Sequence, residues 1–251
     1  MAKVALITGI RRIGRRIGEH LLEKGYDLSL IYRTSSSEAE YLRDLAQGLG
    51  RRVITTEGDL SDERVCISAV EKTVSELGRI DAFVHLASPY VRTPVQEVSV
   101  EDVERHFRPI AMAFLILSRE AYKHMILNDG EIKGHILTFG DWAVEHTPYK
   151  NYSAYFLAKG ALHTAVKVLA KEFAPHVPVN CIALGPTLKA EDLTEEEWER
   201  ILKNTPLKRS VSIKDLLSLT DFLLETESVT GEIIMLDGGR HIAGSGLGSV
   251  G

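Results

Sequence analysis

The sequence predicts an α/β fold with a doubly wound, seven-stranded parallel sheet and helices on both faces. Two observations carry this. Short runs rich in Val, Ile and Leu, with little polar alternation, recur from one end of the chain to the other, as strands buried on both faces require. Between them lie longer segments of helical period, and such repeated β–α alternation implies right-handed crossovers and a parallel sheet.

The strand-like runs are Val4–Thr8, Leu28–Tyr32, Arg52–Glu57, Ala82–Leu86, His135–Phe139, Val179–Ala183 and Ile233–Leu236. The helical stretches are Gly14–Lys24, Ser37–Leu49, Asp62–Leu77, Val100–Ile126, Tyr152–Phe173, Thr194–Lys203 and Ser212–Leu224. Ser37 ahead of Glu38 and Glu40, the pair Asp62-Glu63, and Thr194 with Glu197 three residues on are helix-start signals. Gly25 and Gly78 close the first and third helices. No linker, repeat or composition shift divides the chain, so residues 1–251 read as one domain. The tail Gly244–Gly251 reads as a frayed end or a subunit contact.

Composition narrows the function classes. An apolar fraction of 44% supplies a packed core, and 30 Lys+Arg against 35 Asp+Glu leaves a net charge of −5. That balance argues against a nucleic-acid-binding domain, which carries a basic excess. Two cysteines, Cys66 and Cys181, are too few for a disulfide scaffold. No run approaches the roughly 20 apolar residues of a membrane helix, and the short Met1-Ala2-Lys3 start ahead of the first strand leads one to expect no separate leader. A soluble cytoplasmic protein with no membrane or nucleic-acid partner and no metal is expected.

The first strand ends in Thr8-Gly9-Ile10-Arg11-Arg12-Ile13-Gly14, and a helix follows. Glycines there let backbone N–H groups and the helix N-terminus face an anion such as a dinucleotide pyrophosphate. Gly9 suits the tight turn and Gly14 the close helix–strand packing, which makes the sheet Rossmann-type. At the end of the second strand, where a carboxylate commonly binds a ribose 2′-hydroxyl, the chain has Arg33-Thr34-Ser35. Arginine flanked by hydroxyls binds a 2′-phosphate instead, which points to NADP(H), with Arg11 or Arg12 adding a second cation. A solvated charged loop is the other reading of this segment.

Tyr155 and Lys159 lie four residues apart in the stretch Tyr152–Phe173, on one helix face. A nearby ammonium favours phenolate, so the pair is expected to lower the tyrosine pKa and make it a usable proton donor. Tyr149 and Tyr152 lack a lysine at +4, which singles out Tyr155.

These residues resemble the short-chain dehydrogenase/reductase superfamily along the whole chain. The likeness continues in Asp59-Leu60 after the third strand, Asn180, Gly185-Pro186-Thr187, and Thr230-Gly231 with Asp237-Gly238-Gly239. Within it the chain is similar to the pteridine reductases and the bacterial dihydromonapterin/dihydrofolate reductases. Three features carry that closer likeness: Arg12-Ile13-Gly14 in the turn, Asp141 where most members have a serine, and Ser88-Pro89-Tyr90 after the fourth strand.

The resemblance implies NADP(H) bound along Gly9, Arg11, Arg12, Ile13 and Gly14, with Arg33, Thr34 and Ser35 at the 2′-phosphate. Asp59 and Leu60 would meet the adenine, with Ala87, Ser88, Gly185, Pro186 and Thr187 completing the cofactor site. Lys159 would bind the nicotinamide ribose and tune Tyr155. Asp141 would work with Tyr155, and a small-molecule substrate would lie against Arg12, Ser88, Tyr90, Asp141 and Tyr155, stacked on the Tyr90 ring.

The chain also departs from the family. Its glycine turn is one residue short, and the fourth strand ends His85-Leu86-Ala87-Ser88 without the usual asparagine pair. Pro109 stands where most members have a catalytic asparagine, and Asp141 sits fourteen residues before Tyr155, one more than common. Proline disturbs a helix, so proton relay is expected to run differently or not at all. His146 reads as a surface residue.

Three functions remain open: an NADPH-dependent reductase of a pterin-like substrate, a carbonyl reductase of 3-oxoacyl type, and a catalytically silent NADP(H) sensor. Apolar residues on more than one face of Val100–Ile126 and Tyr152–Phe173 suggest a homodimer or homotetramer.

Overall fold

The computed structural model describes residues 2–190 and 193–243. The tail from Gly244 lies outside them, so neither reading of it meets a structural observation. The chain runs β1 (Val4–Thr8), α1 (Ile13–Glu23), β2 (Asp27–Tyr32), α2 (Ser36–Gly48), β3 (Val53–Glu57), α3 (Glu63–Leu77) and β4 (Ala82–His85). It continues with α4 (Val100–Phe107), a π-helical turn (Arg108–Met112), α5 (Ala113–Met125), β5 (His135–Asp141) and α6 (Ser153–Phe173). Then come β6 (Val179–Leu184), α7 (Glu195–Lys203), α8 (Ile213–Glu225), β7 (Ile233–Leu236) and a 3₁₀ turn (Arg240–Ile242).

The seven strands form one parallel sheet in the order β3-β2-β1-β4-β5-β6-β7. Period-2 geometry sends successive strand residues to opposite faces. Leu6, Ile31, Phe83 and Ile136 thus meet Phe114, Leu117, Leu162 and Val166 from α5 and α6. Ala5, Ile7, Leu30 and Leu137 meet Ile17, Leu21, Leu42 and Leu223 from α1, α2 and α8. Both layers are dry, which is why the strands read as continuous apolar runs.

Helix ends follow local chemistry. Asp62 accepts the Arg64 N–H at the start of α3, and Gly78 closes that helix at φ 88°. Thr194 and Glu197 form a capping box on α7, as their spacing predicts, and Ser99 with Asp102 forms another on α4.

The stretch Val100–Ile126 is not one α-helix. Its correction is the π-helical turn, where the Ala113 N–H reaches back to the Arg108 carbonyl. Pro109 supplies the reason: without an N–H it cannot close the α-helical ladder, and the backbone widens by one residue.

Chain order reverses beside β1, with β2 on one side and β4 on the other. A crevice opens there at the carboxyl ends of the strands, the position at which doubly wound sheets bind ligands.

Candidate active site

That crevice is a cavity of about 1020 Å³. One end is a cradle of glycines. Gly9 has φ +71°, and a Cβ on it would lie 2.5 Å from the Ala87 nitrogen. A Cβ on Gly14 would strike the Gly9 carbonyl oxygen, and one on Gly185 would lie 2.5 Å from the Asp237 Cα. Gly9, Ile13, Gly14, Ala87 and Gly185 all line the cavity, so backbone is exposed where side chains would fill the space. With the N-terminus of α1 directed there, the cradle fits a dinucleotide pyrophosphate.

Arg12 stands at φ 50°, a conformation strained for a side-chain-bearing residue. Its guanidinium donates to the Leu188 and Lys189 carbonyls at 2.8 and 2.7 Å. These bonds tie the strained turn to the loop after β6. Arg12 itself lines the cavity, with its side chain clasping that loop. Arg11 lines the cavity.

At the adenosine end, Arg33 donates to Asp59 Oδ2 at 3.2 Å. The Ser61 N–H at 2.8 Å, and to a smaller extent Arg33, keep the Asp59 carboxyl below its ordinary range. Thr34, Ser35 and Leu60 lie on the same walls. Thr187 lines the cavity beside Gly185, whereas Pro186 does not; its carbonyl accepts the Val211 N–H at 2.8 Å. Pro186 thereby supports the backbone of that loop.

At the opposite end stand Asp141, Tyr155 and Lys159, all buried and all on the cavity wall. Strand β5 runs two residues beyond the expected Phe139, so Asp141 is its last residue, held rigidly by the sheet. The Tyr155 hydroxyl donates to Asp141 Oδ2 at 3.0 Å. The Lys159 ammonium donates to the Phe139 carbonyl at 2.6 Å and lies 5.8 Å from the Tyr155 ring centre.

The electrostatics differ from the sequence expectation. Burial first, and then the Asp141 charge, push the Tyr155 pKa well above its ordinary value. Lysine at one helical turn does not bring the resting phenol below its ordinary range, because burial, and after it the Asp141 carboxylate, set its pKa. Burial likewise raises Asp141 and lowers Lys159 to about 8.

His85 occupies the place of the usual asparagine pair. Its Nε2 lies 3.1 Å from the Ile110 carbonyl in the π-helical turn, and its Nδ1 lies 2.9 Å from Thr8 Oγ1. A carbonyl only accepts, so Nε2 carries the proton and Thr8 donates to Nδ1. Thr8 in turn accepts the Leu86 and Ala87 N–H groups. Burial, with the Lys159 charge, lowers His85 to about 3, so the ring is neutral.

Ser88 and Tyr90 reach the cavity. The Tyr90 ring is already engaged: it stacks on Tyr152 at 4.4 Å and meets the edge of Tyr155 at 5.0 Å. Only part of it is open to a flat ligand. His146 is exposed, with its ring 5.2 Å from that of His241.

The spacing rules passed over two residues here. Tyr149 donates to the same Asp141 oxygen as Tyr155, at 3.0 Å, and its signal was the three-residue recurrence of Tyr149, Tyr152 and Tyr155. Arg105, its guanidinium paired with Asp102, lines the cavity as Pro109 does, from a helix whose spacing carries no sign of it. Among the described residues no cluster of three or more His, Cys, Asp or Glu could hold a metal, and no helix is long and apolar enough to cross a membrane.

Residues 9–241 match the family model described as enoyl-(acyl carrier protein) reductase. The chain is 28% identical over 242 residues to the dihydromonapterin reductase of Citrobacter koseri, covering 94% of this chain and 96% of that protein. It is 29% identical over 240 residues to the 3-oxoacyl-[acyl-carrier-protein] reductase of Bos taurus, covering 95% and 97%. Alternative dihydrofolate reductase 1 from Brucella canis, solved in complex with NADP, superposes with a TM-score of 0.88 at 28% identity, covering 96% of this chain and 94% of that one. With its fold, glycine cradle and buried Tyr155–Lys159 pair, the chain belongs to the short-chain dehydrogenase/reductase family of oxidoreductases.

Proposed function

We propose that the chain, acting as one domain over residues 1–251, is an NADPH-dependent reductase of a pterin-like substrate of the dihydropterin or dihydrofolate type. The observation that carries this is a carboxylate, Asp141, hydrogen-bonded to the Tyr155 hydroxyl at 3.0 Å on the wall of the cavity. Similarity to dihydromonapterin reductase and to the NADP complex of alternative dihydrofolate reductase supports it.

Bound NADPH would supply a hydride, and reduction of a C=N bond also needs one proton on nitrogen. Tyr155 is the donor of that proton. At rest its phenol is held protonated, which keeps the proton in the site until a developing negative charge on the substrate draws it away. Lys159, with a pKa of about 8, is charged at neutral pH and stabilises the phenolate left behind. The Asp141 carboxylate accepts an N–H of the heterocycle and fixes the ring, a task a serine hydroxyl performs without charge.

Arg33 and its neighbours Thr34 and Ser35 would hold the 2′-phosphate, with Arg33 leaving Asp59 for the stronger anion. Arg33→Ala is expected to weaken NADPH binding about 10–100-fold, the worth of a charge-assisted pair. NADH binding should stay unchanged in the same fluorescence titration. Equal losses for both cofactors would remove Arg33 from the 2′-phosphate site.

Similarity to a 3-oxoacyl reductase favours a second reading, reduction of a ketone. Asp141→Ser separates the two. Under the pterin reading the variant loses at least about 10-fold in kcat/KM on 7,8-dihydromonapterin and dihydrofolate, and gains on a 3-oxoacyl ester. Wild-type protein that binds NADPH and turns over none of these substrates would refute the substrate assignment and leave the sensor reading.

Exposed Val100, Leu115, Leu157 and Val168 on α4, α5 and α6 support a homodimer or homotetramer. Two buried free thiols suit a reducing cytoplasmic setting.

A further inference from the structure

A carboxylate offers about four lone-pair sites, two on each oxygen. At Asp141 three are taken by the described residues, and one is left open among them. The Ala143 N–H fills one on Oδ1 at 2.9 Å, while Tyr149 and Tyr155 fill both on Oδ2, each at 3.0 Å. The acceptor left open is the second site of Oδ1. Tyr149 is held for this task by aromatic packing and by Tyr90: its ring meets Phe156 at 4.6 Å, Tyr152 at 5.4 Å and Tyr90 at 6.4 Å, edge to face, and its hydroxyl also shares a hydrogen bond with Tyr90.

We propose that Tyr149 is a positioning residue for the proton-transfer step, its phenol fixing the Asp141 carboxylate so that Oδ2 faces Tyr155 and Oδ1 faces the substrate. With both sites on Oδ2 filled, the carboxylate cannot rotate to offer that oxygen to a ligand, and a substrate N–H is directed to Oδ1. The second phenol also balances charge. Asp141 is buried, and each hydroxyl that donates to it favours the ionised form over the neutral acid. The groups facing it are Tyr149 from the loop after β5, Tyr155 and Lys159 from α6, and Tyr90 from the loop after β4. Lys159 supplies the one positive charge among them. This inference rests on the reductase reading only for the identity of the substrate; the hold on the carboxylate is a property of the protein by itself.

Tyr149→Phe keeps the ring and its packing and removes one oxygen. Loss of one donor raises the pKa of Asp141 by about one to two units, since a hydrogen bond to a charged group is worth that much. Two measurements read it. Infrared difference titration of the cofactor-free protein, with the carboxyl band assigned through Asp141→Asn, should show the Asp141 midpoint moved to higher pH. The acidic limb of the kcat profile with NADPH should move in the same direction by the same amount, with KM for NADPH unchanged. An Asp141 midpoint that stays in place in Tyr149→Phe overturns the proposal, whichever substrate the enzyme reduces. A shifted midpoint in a protein that reduces no pterin would refute the substrate assignment and uphold the role of Tyr149.

Discussion

Replacing Tyr155 by phenylalanine is expected to lower kcat by about 10²–10⁴-fold, the usual worth of a positioned general acid. The ring stays, so the core around Leu162 and Phe114 and the edge contact with Tyr90 are kept. Asp141 loses one of its two phenol donors, and the buried cavity loses its source of the substrate proton. NADPH should still quench protein fluorescence at near wild-type concentration, because the glycine cradle and Arg33 lie at the other end of the cavity. Single-turnover absorbance of NADPH measures the step directly. A variant that retained half of the wild-type rate would show that the proton comes from elsewhere.

The second large effect is expected at Gly9. An alanine there must adopt φ +71°, and its Cβ would lie 2.5 to 2.8 Å from the backbone of Leu86 and Ala87. Neither obstacle is a flexible side chain, so the end of β1 or the chain after β4 must move. Positive φ costs roughly 1–2 kcal/mol and overpacking roughly 1–3. The sum, about 2–5 kcal/mol, corresponds to a fall in Tm of roughly 4–20 °C for a chain of this size. Thermal unfolding with and without NADPH checks both parts: the melting point drops, and the rise that cofactor gives the wild type disappears. A variant with wild-type melting and wild-type cofactor response would mean that the turn does not form as described.

What the sequence made legible depended on the range of the interactions. Strand β1 lies where its apolar run places it, and the capping box of α7 stands where Thr194 and Glu197 predict. The shared helix face of Tyr155 and Lys159 follows from four-residue spacing, and both line one cavity. Each of these is a local rule. The acidity of Tyr155 escapes a local rule because it is set first by burial and then by Asp141, a residue brought beside it by the β5 register. Tyr149 was passed over because a rule about lysine at +4 says nothing of a loop that folds back onto a strand end. Arg12 reads as an anion ligand by composition, and the two carbonyls that its guanidinium clasps lie far along the chain, outside any local rule. The single long helix from Val100 is broken at Pro109, and the widened turn is tied to β4, where His85 accepts a hydrogen bond from Thr8 and donates one to the Ile110 carbonyl.

The widened turn at Arg108–Met112 also changes how α4 and α5 are phased. One inserted residue rotates everything upstream by about 100° relative to an uninterrupted spiral. Here that offset lets α5 present Phe114 and Leu117 to the sheet while Arg105, nine residues before Phe114 and paired with Asp102, lies on the cavity wall. Deleting a single position from this stretch would restore a regular ladder and swing Arg105 a quarter-circle away. The proline thus acts as a spacer in angle, letting one continuous rod serve the interior with one half and the entrance with the other.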